Sequence, residues 1–107
     1  MLDLSGIPVV DNHCHSILRT PVHERDAFRL LFGESNSRAF AAFIPTMAYY
    51  RAAIIALAAE LGVDAQEDAV LAARAAQPHE AWISRLLGAA GLHALLGADG
   101  FPPGDGA

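Results

Sequence analysis

The fold of this chain is constrained most by a short apolar run near its N-terminus that ends in an abrupt change of polarity. The run IPVV at positions 7–10 is rich in β-branched residues and is followed at once by DNHCH at positions 11–15. Such a run favours a buried strand, with Pro8 near its start, because proline cannot donate to a sheet ladder. A buried strand that becomes polar at its carboxyl end is typical of a parallel α/β sheet at its functional edge.

Helical patterns fill most of the chain after this strand. The strongest predicts a helix over residues 46–61 that ends at Gly62, because its apolar residues recur every three and four positions. These residues are Met47, Tyr50, Ile54, Leu57 and Leu61. Shorter patterns predict helices over residues 24–32, 37–43 and 79–90, ended by Gly33, Pro45 and Gly91 respectively. Residues 64–67 have the form of an N-terminal capping signal for a further helix that runs to Gln77.

A second short strand is predicted over residues 92–96, and the Gly-, Pro- and Asp-rich stretch 97–107 is predicted to be a flexible tail. The outline is a strand, several helices and a second strand, which is one enlarged βαβ unit. The fold class is therefore expected to be α/β, mostly helical by content with two short parallel strands. We expect residues 1–107 to form a single partial domain.

Composition narrows the classes of partner. The net charge is −5, and the seven basic residues are arginines scattered along the chain, so no basic stripe is available to displace phosphate counterions. We therefore expect no nucleic-acid partner. No apolar stretch has the length of a membrane span and the first residues lack the pattern of a secretory signal, so we expect no membrane association. The single cysteine, Cys14, cannot form an internal disulfide, which favours a cytoplasmic location.

The two histidines of the polar segment, His13 and His15, are candidate metal ligands. Side chains alternate along a strand, so these two imidazoles and the Asp11 carboxylate are predicted to share one face, with Cys14 on the other. Paired neutral imidazoles form half of a site for Zn²⁺ or a similar divalent ion, and a nearby carboxylate can orient an imidazole. The alternative is a pair of loop histidines that bind backbone groups.

Other residues with reactive or aromatic side chains have mainly structural interpretations. A buried, packing thiol is favoured for Cys14, because its neighbours His13 and His15 would face away from it. Trp82 is interpreted as a packing anchor and Tyr50 as part of the core, whereas the role of Tyr49 stays open. Two further candidates for ligand contact, each with a structural alternative, are Arg19 and the Asp99-Gly100 pair.

The segment IPVVDNHCHSILR at positions 7–19 resembles the first strand of the amidohydrolase superfamily, which carries the pattern D-x-H-x-H. The stretches FGES at 32–35, AYYR at 48–51, ELG at 60–62 and ADGFP at 98–102 are similar to the amidohydrolase 2 branch, which also occurs fused to glutamine synthetase domains. This resemblance implies a TIM (β/α)8 barrel in which His13 and His15 bind a divalent metal, with zinc expected; in this chain alone the binding is expected to be weak or absent. It also implies hydrolysis of a C–N (amide-type) or related bond in a small-molecule substrate by a metal-activated water.

A (β/α)8 barrel needs about 250 residues, so the resemblance covers only the N-terminal fragment of such a barrel. The further ligands and the acid/base aspartate that the family implies belong to later strands, and no catalytic residue is assigned here. A carboxylated lysine is excluded, because the chain has no lysine. We therefore expect no activity from this chain alone. Two alternatives remain: one segment of a split barrel, or a non-enzymatic helical interaction module that associates through unpaired strand edges.

Overall fold

A computed structural model describes residues 1–15 and 17–97 of the chain. The chain divides into two compact units, one formed by Met1–Thr20 together with His79–Ala107 and the other by Pro21–Pro78. The predictions made for Asp99, Gly100 and the tail beyond Gly97 lie outside the described residues.

The first unit contains a two-stranded parallel sheet and one helix. Strand β1 (Val9–Cys14) pairs with strand β2 (Leu92–Gly97), so that Val9 lies opposite Leu92 and Cys14 lies opposite Gly97. Helix α4 (His79–Ala89) precedes β2 and contacts it. Between them, Gly91 adopts a φ of 67°, a left-handed conformation that glycine reaches without steric cost. The prediction of a mixed α/β fold with two parallel strands is confirmed.

Strand β1 differs from its prediction in its start and in its burial. It begins at Val9, after Ile7 and Pro8, and continues through Cys14, so it includes most of the polar segment that was predicted at its carboxyl end. Val9 and Val10 are 46% and 50% exposed, and the prediction of a buried strand is wrong for them. The physical reason is that a parallel strand is buried by neighbouring strands on both edges and by helices on both faces. In the described part of the chain, β1 pairs with one strand only.

The second unit is helical. Helix α1 (Arg25–Leu30) is capped by Glu24, whose carboxylate accepts hydrogen bonds from the backbone N–H groups of Asp26 and Ala27. Two short 3₁₀ segments follow, Arg38–Ala42 and Ile44–Thr46. Helix α2 (Ala48–Leu61) then ends at Gly62, which has the left-handed φ of 70° expected of a C-cap. Helix α3 (Glu67–Ala76) completes the unit.

Two local predictions in this unit differ from the structure. The helix predicted over residues 37–43 is a 3₁₀ segment, Arg38–Ala42, and it ends before Pro45 as predicted. Pro45 lies inside the second 3₁₀ segment, where its missing N–H is one that the first turn leaves unbonded in any case. The predicted capping signal at residues 64–67 does not form, because the N-cap of α3 is Gln66 and its side chain makes no capping hydrogen bond. The Glu67 carboxylate that would complete the signal is bound by other side chains, described below.

The core of the second unit joins its helices. Tyr50, Ile54 and Ala58 bury one face of α2, and partly buried apolar residues of the same helix pack beside them, so the predicted apolar stripe is confirmed. Phe28 from α1 and Val70 from α3 are almost completely buried against this face. The rings of Phe28, Phe32 and Tyr50 meet edge to face with centroid separations of 5.1–6.3 Å, a geometry that aromatic quadrupoles favour.

Among the described residues, no single helix has both the length and the apolar composition needed to cross a membrane. One pair of consecutive helical segments among these residues meets the two criteria when its members are taken together. The pair is Arg38–Thr46 and Ala48–Leu61, and the segments are bent by 77° relative to each other.

Candidate functional site

The candidate metal ligands lie at the carboxyl end of β1. His13 is the penultimate residue of the strand, His15 follows its last residue, and both side chains are exposed. The Asp11 carboxylate accepts a hydrogen bond from the backbone N–H of His13, with Oδ1 at 3.1 Å from the nitrogen. Asp11 therefore braces the backbone on which His13 is carried.

Exposure does not alternate along this strand. Asp11 and Cys14 are half-buried, whereas Val10, Asn12 and His13 are exposed, and the pairing with β2 is irregular between Asp11 and Cys14. Exposure therefore does not separate two faces of β1, and the common face of Asp11, His13 and His15 stays a prediction. The exposure of both imidazoles still leaves each one accessible to a ligand.

Cys14 is held by the neighbouring strand. Its thiol donates to the backbone carbonyl of Leu96 in β2, at 3.6 Å from Sγ to oxygen. This contact agrees with a structural thiol, but the partner is a strand rather than the helical layer that was expected. The Cys14 thiol therefore donates its proton to a backbone carbonyl. Among residues 1–15 and 17–97, no imidazole is hydrogen-bonded to the thiol as a general base would be.

The remaining histidines do not complete a metal site. The Nε2–H of His79 donates to the backbone carbonyl of Leu18 at 2.7 Å, and His23 and His93 are both exposed. Over residues 1–15 and 17–97, no group of three or more His, Cys, Asp or Glu side chains is arranged to hold a metal ion. A catalytic zinc ion takes three protein ligands. His13 and His15 therefore fit part of such a site, and the described residues supply no third ligand.

The second unit contains a charged cluster that the sequence did not reveal. Glu67, the first residue of α3, accepts hydrogen bonds from Nε and Nη2 of Arg29, both at 2.8 Å, and from the hydroxyl of Tyr50. Arg25 lies beside the same carboxylate, with its Nε at 3.3 Å from Oε1. The Arg29 and Glu67 side chains are only 19% and 18% exposed, so this forked ion pair is largely shielded from solvent.

These contacts change the acidity of the groups involved. Burial favours the neutral form of Glu67, but hydrogen bonds from Arg29 and Tyr50 and the charges of Arg29 and Arg25 outweigh it, so the pKa of Glu67 lies below its ordinary value. Burial, the hydrogen bond to Glu67 and the charge of Glu67 together raise the pKa of Tyr50. At neutral pH the cluster consequently holds an ionised carboxylate, a neutral phenol and two guanidinium ions.

The sequence contained only a partial signal for this cluster. Tyr50 was predicted to lie in the core, and the structure shows that it is buried. A buried phenol usually has a hydrogen-bond partner, so a core position for Tyr50 is a signal of a polar residue nearby. The sequence could not identify Arg29 and Glu67 as the polar residues beside Tyr50, because these two residues are 38 positions apart and no local spacing links them.

The other aromatic and basic candidates have structural roles or stay exposed. The hydroxyl of Tyr49 donates to the backbone carbonyl of Phe32, which answers the question that the sequence left open. Trp82 is buried, and the guanidinium of Arg85 lies 5.8 Å from its ring centroid. Arg19 is exposed.

Comparisons of the chain with protein-family models, with curated proteins and with solved structures find no match.

Proposed function

We propose that this chain supplies the first metal-binding strand of a metal-dependent hydrolase of the amidohydrolase type, built on a (β/α)8 barrel. The observation that carries the proposal is the parallel pairing of β1 with β2, together with the position of His13 and His15 at the carboxyl end of β1. In parallel α/β sheets and barrels, ligands bind at the carboxyl ends of the strands. The D-x-H-x-H pattern of residues 11–15 stands at that end.

The exposed apolar residues in β1 and just before it support the same proposal. Ile7, Val9 and Val10 all expose much of their side chains, although strands with this composition are ordinarily covered on both faces. In a complete barrel, further strands and helices would cover them. Those elements would come from additional sequence of the same protein or, in a split barrel, from a separate polypeptide. The thiol of Cys14, paired with a backbone carbonyl and not with another sulfur, suits a reducing cytoplasmic location.

In the proposed enzyme, His13 and His15 would hold a divalent ion through neutral imidazole nitrogens, and zinc is the ion that such ligands suit. A bound ion of this kind lowers the pKa of its water and polarises a carbonyl group of the substrate. Asp11 would contribute by bracing the backbone of His13. Because the described residues provide no third ligand, the remaining ligands and the acid/base group are assigned to the other elements of the barrel.

Zinc titration tests the half-site directly. Calorimetry of the wild-type chain should show binding of one zinc ion, and the double variant His13→Ala/His15→Ala should abolish it. His93→Ala is the matched control, because it removes an equally exposed histidine from the neighbouring strand. Equal zinc binding by the double variant and the wild type would remove the half-site.

A non-enzymatic helical interaction module is the second candidate, and a surface of the second unit favours it. Phe40 and Phe43 are both exposed, and their rings contact each other edge to face at 6.3 Å between centroids. Exposed aromatic pairs are common at protein interfaces. Sequencing beyond codon 107 and assay of any longer product separate the two candidates. A chelator-sensitive hydrolase supports the barrel, and a product without hydrolase activity supports the module.

A further inference from the structure

A groove in the second unit has the size of a small-molecule site. Its volume is about 520 Å³, within the range of roughly 300–1,000 Å³ that is usual for small-ligand pockets. Helix α2 forms one wall, and the segment that leads into α3 forms the other. The lining residues on which the argument depends are Pro45, Tyr50, Arg51, Ile54, Ile55 and Glu67.

The charges in the groove leave one cation without a counter-charge. Arg29 also lines the groove, but its guanidinium is neutralised by the forked pair with Glu67. Arg51 uses Nε to donate to the backbone carbonyl of Pro45 at 3.2 Å, and within residues 1–15 and 17–97 its two terminal amino groups meet no acceptor. The Nε contact holds the guanidinium at the groove, so its outer edge is available to an anion. A planar guanidinium edge matches a carboxylate in a two-pronged hydrogen bond.

The same groove offers apolar surface next to this cation. Both Ile54 and Ile55 of α2 line the groove, but Ile54 is buried whereas Ile55 is 61% exposed. An aliphatic chain that covers Ile55 would remove apolar surface from water, which is favourable. The charges of Arg29 and Glu67 cancel each other, so the lining of the groove carries one net positive charge, that of Arg51, which one negative charge balances. The groove therefore favours a monoanion with a short apolar body over a dianion such as phosphate.

We propose that this groove is a binding site for a small aliphatic monocarboxylate, with the carboxylate on the terminal amino groups of Arg51 and the hydrocarbon chain against Ile55. The lining residues all belong to Pro21–Pro78, whereas His13 and His15 belong to the other unit. The site is therefore independent of the proposed metal-binding strand, and either one can fail without the other.

Hexanoate is the probe for the test, and hexanamide is its uncharged counterpart of the same shape. Titration of the ¹⁵N-labelled chain, followed by two-dimensional NMR, should show shifts at Arg51, including its Nε–H, and at residues 54–55 and 65–67. Hexanoate should bind at least tenfold more tightly than hexanamide, and sodium chloride should weaken only the hexanoate complex.

Two variants assign the parts of the site. Arg51→Gln should weaken hexanoate binding about tenfold, since it removes a charge-assisted contact. Arg38→Gln, at an exposed arginine of the same unit that does not line the groove, should leave binding unchanged. Ile55→Asn should weaken hexanoate and hexanamide by the same factor, because it removes only apolar contact. Far-UV circular dichroism confirms that each variant is folded.

Three results would overturn the proposal: equal affinities for hexanoate and hexanamide, equal effects of Arg51→Gln and Arg38→Gln, or shifts confined to residues outside the groove. The comparison of the two probes uses the wild-type chain alone, so it decides the question even if a variant does not fold.

Discussion

Replacement of Glu67 by glutamine tests whether the charged cluster stabilises the helical unit. Glutamine preserves the size of the side chain and one carbonyl acceptor, but it removes the charge that Arg29 and Arg25 face. The Tyr50 hydroxyl would then donate to a neutral amide in place of a carboxylate. The change therefore isolates the electrostatic part of these contacts from the packing around them.

The burial of the ion pair sets the expected size of the effect. Breaking a fully buried pair by removal of one partner costs about 3–5 kcal/mol, whereas an exposed pair contributes about 0.2–1 kcal/mol. Arg29 and Glu67 are 19% and 18% exposed, which places them between these limits. Because glutamine retains a neutral hydrogen bond, we expect Glu67→Gln to lower the free energy of unfolding by about 2 kcal/mol. The thermal midpoint of the unit should fall by roughly 10 °C.

The next residue along the chain provides a matched control. Asp68 is also acidic and also lies in the first turn of α3, so its replacement costs the same interaction with the helix dipole. Its side chain is 77% exposed, however, and its partner Arg25 is 51% exposed. Asp68→Asn should therefore cost no more than about 0.5 kcal/mol. Hydrogen exchange at the amides of Ile54 and Val70 reports on the opening of this unit, and circular dichroism gives the midpoints.

The pH dependence provides the electrostatic signature. The pKa of Glu67 is lowered in the folded chain, so its stabilisation is fully present above the unfolded value of 4.5 and is lost as the pH falls through the folded value. The difference between wild type and Glu67→Gln should thus be largest at neutral pH and should shrink in acid. Equal costs for Glu67→Gln and Asp68→Asn at pH 7, or a difference that persists unchanged at pH 3, would refute the reasoning.

Four further substitutions test packing and backbone conformation, each by denaturant titration. Val70→Ala should cost about 2 kcal/mol, because this side chain is completely buried and its loss leaves a cavity in the core; a cost under 0.5 kcal/mol would contradict that packing. Tyr50→Phe should cost about 1 kcal/mol through the lost hydrogen bond to Glu67, and no loss would mean that the contact contributes nothing. Gly62→Ala should destabilise by about 1 kcal/mol, since its φ is +70°, whereas Gly88→Ala in the last turn of α4, where an added Cβ meets nothing within 4 Å, should stabilise by about 0.5 kcal/mol. The same sign for the two glycine substitutions would contradict this assignment.

The helices were predictable from the sequence because their determinants are local. The apolar stripe of α2, the glycine at its end and the boundary at Gly91 all depend on residues within a few positions of each other. The failed capping prediction has a cause that is distant in the sequence. Residues 64–67 had the form of a capping signal, but the carboxylate of Glu67 is bound by Arg29 and Tyr50, which lie far away in the sequence. A local signal cannot reveal a competing partner that only the fold supplies.

The strands show the opposite situation. The pairing of β1 with β2 was predicted, but the burial of β1 was not, because strand burial depends on elements that are distant in sequence. The composition of residues 7–10 is that of a strand covered on both faces, and β1 as described here has one neighbouring strand. Local composition therefore did not predict the exposure of Val9 and Val10.

The two candidate sites are identified in different ways. His13 and His15 are identified by a pattern, to which the structure adds their exposure and their position at a strand end, while residues 1–15 and 17–97 supply no third ligand. The groove beside Arg51 has no sequence pattern at all, since it is assembled by α1, α2 and the start of α3 around the ion pair of Arg29 and Glu67. That ion pair neutralises one arginine and leaves Arg51 as the unbalanced charge. Under the two proposals, addition of the further barrel strands should strengthen zinc binding at His13 and His15, whereas carboxylate binding at Arg51, whose groove lies within Pro21–Pro78, should be unchanged.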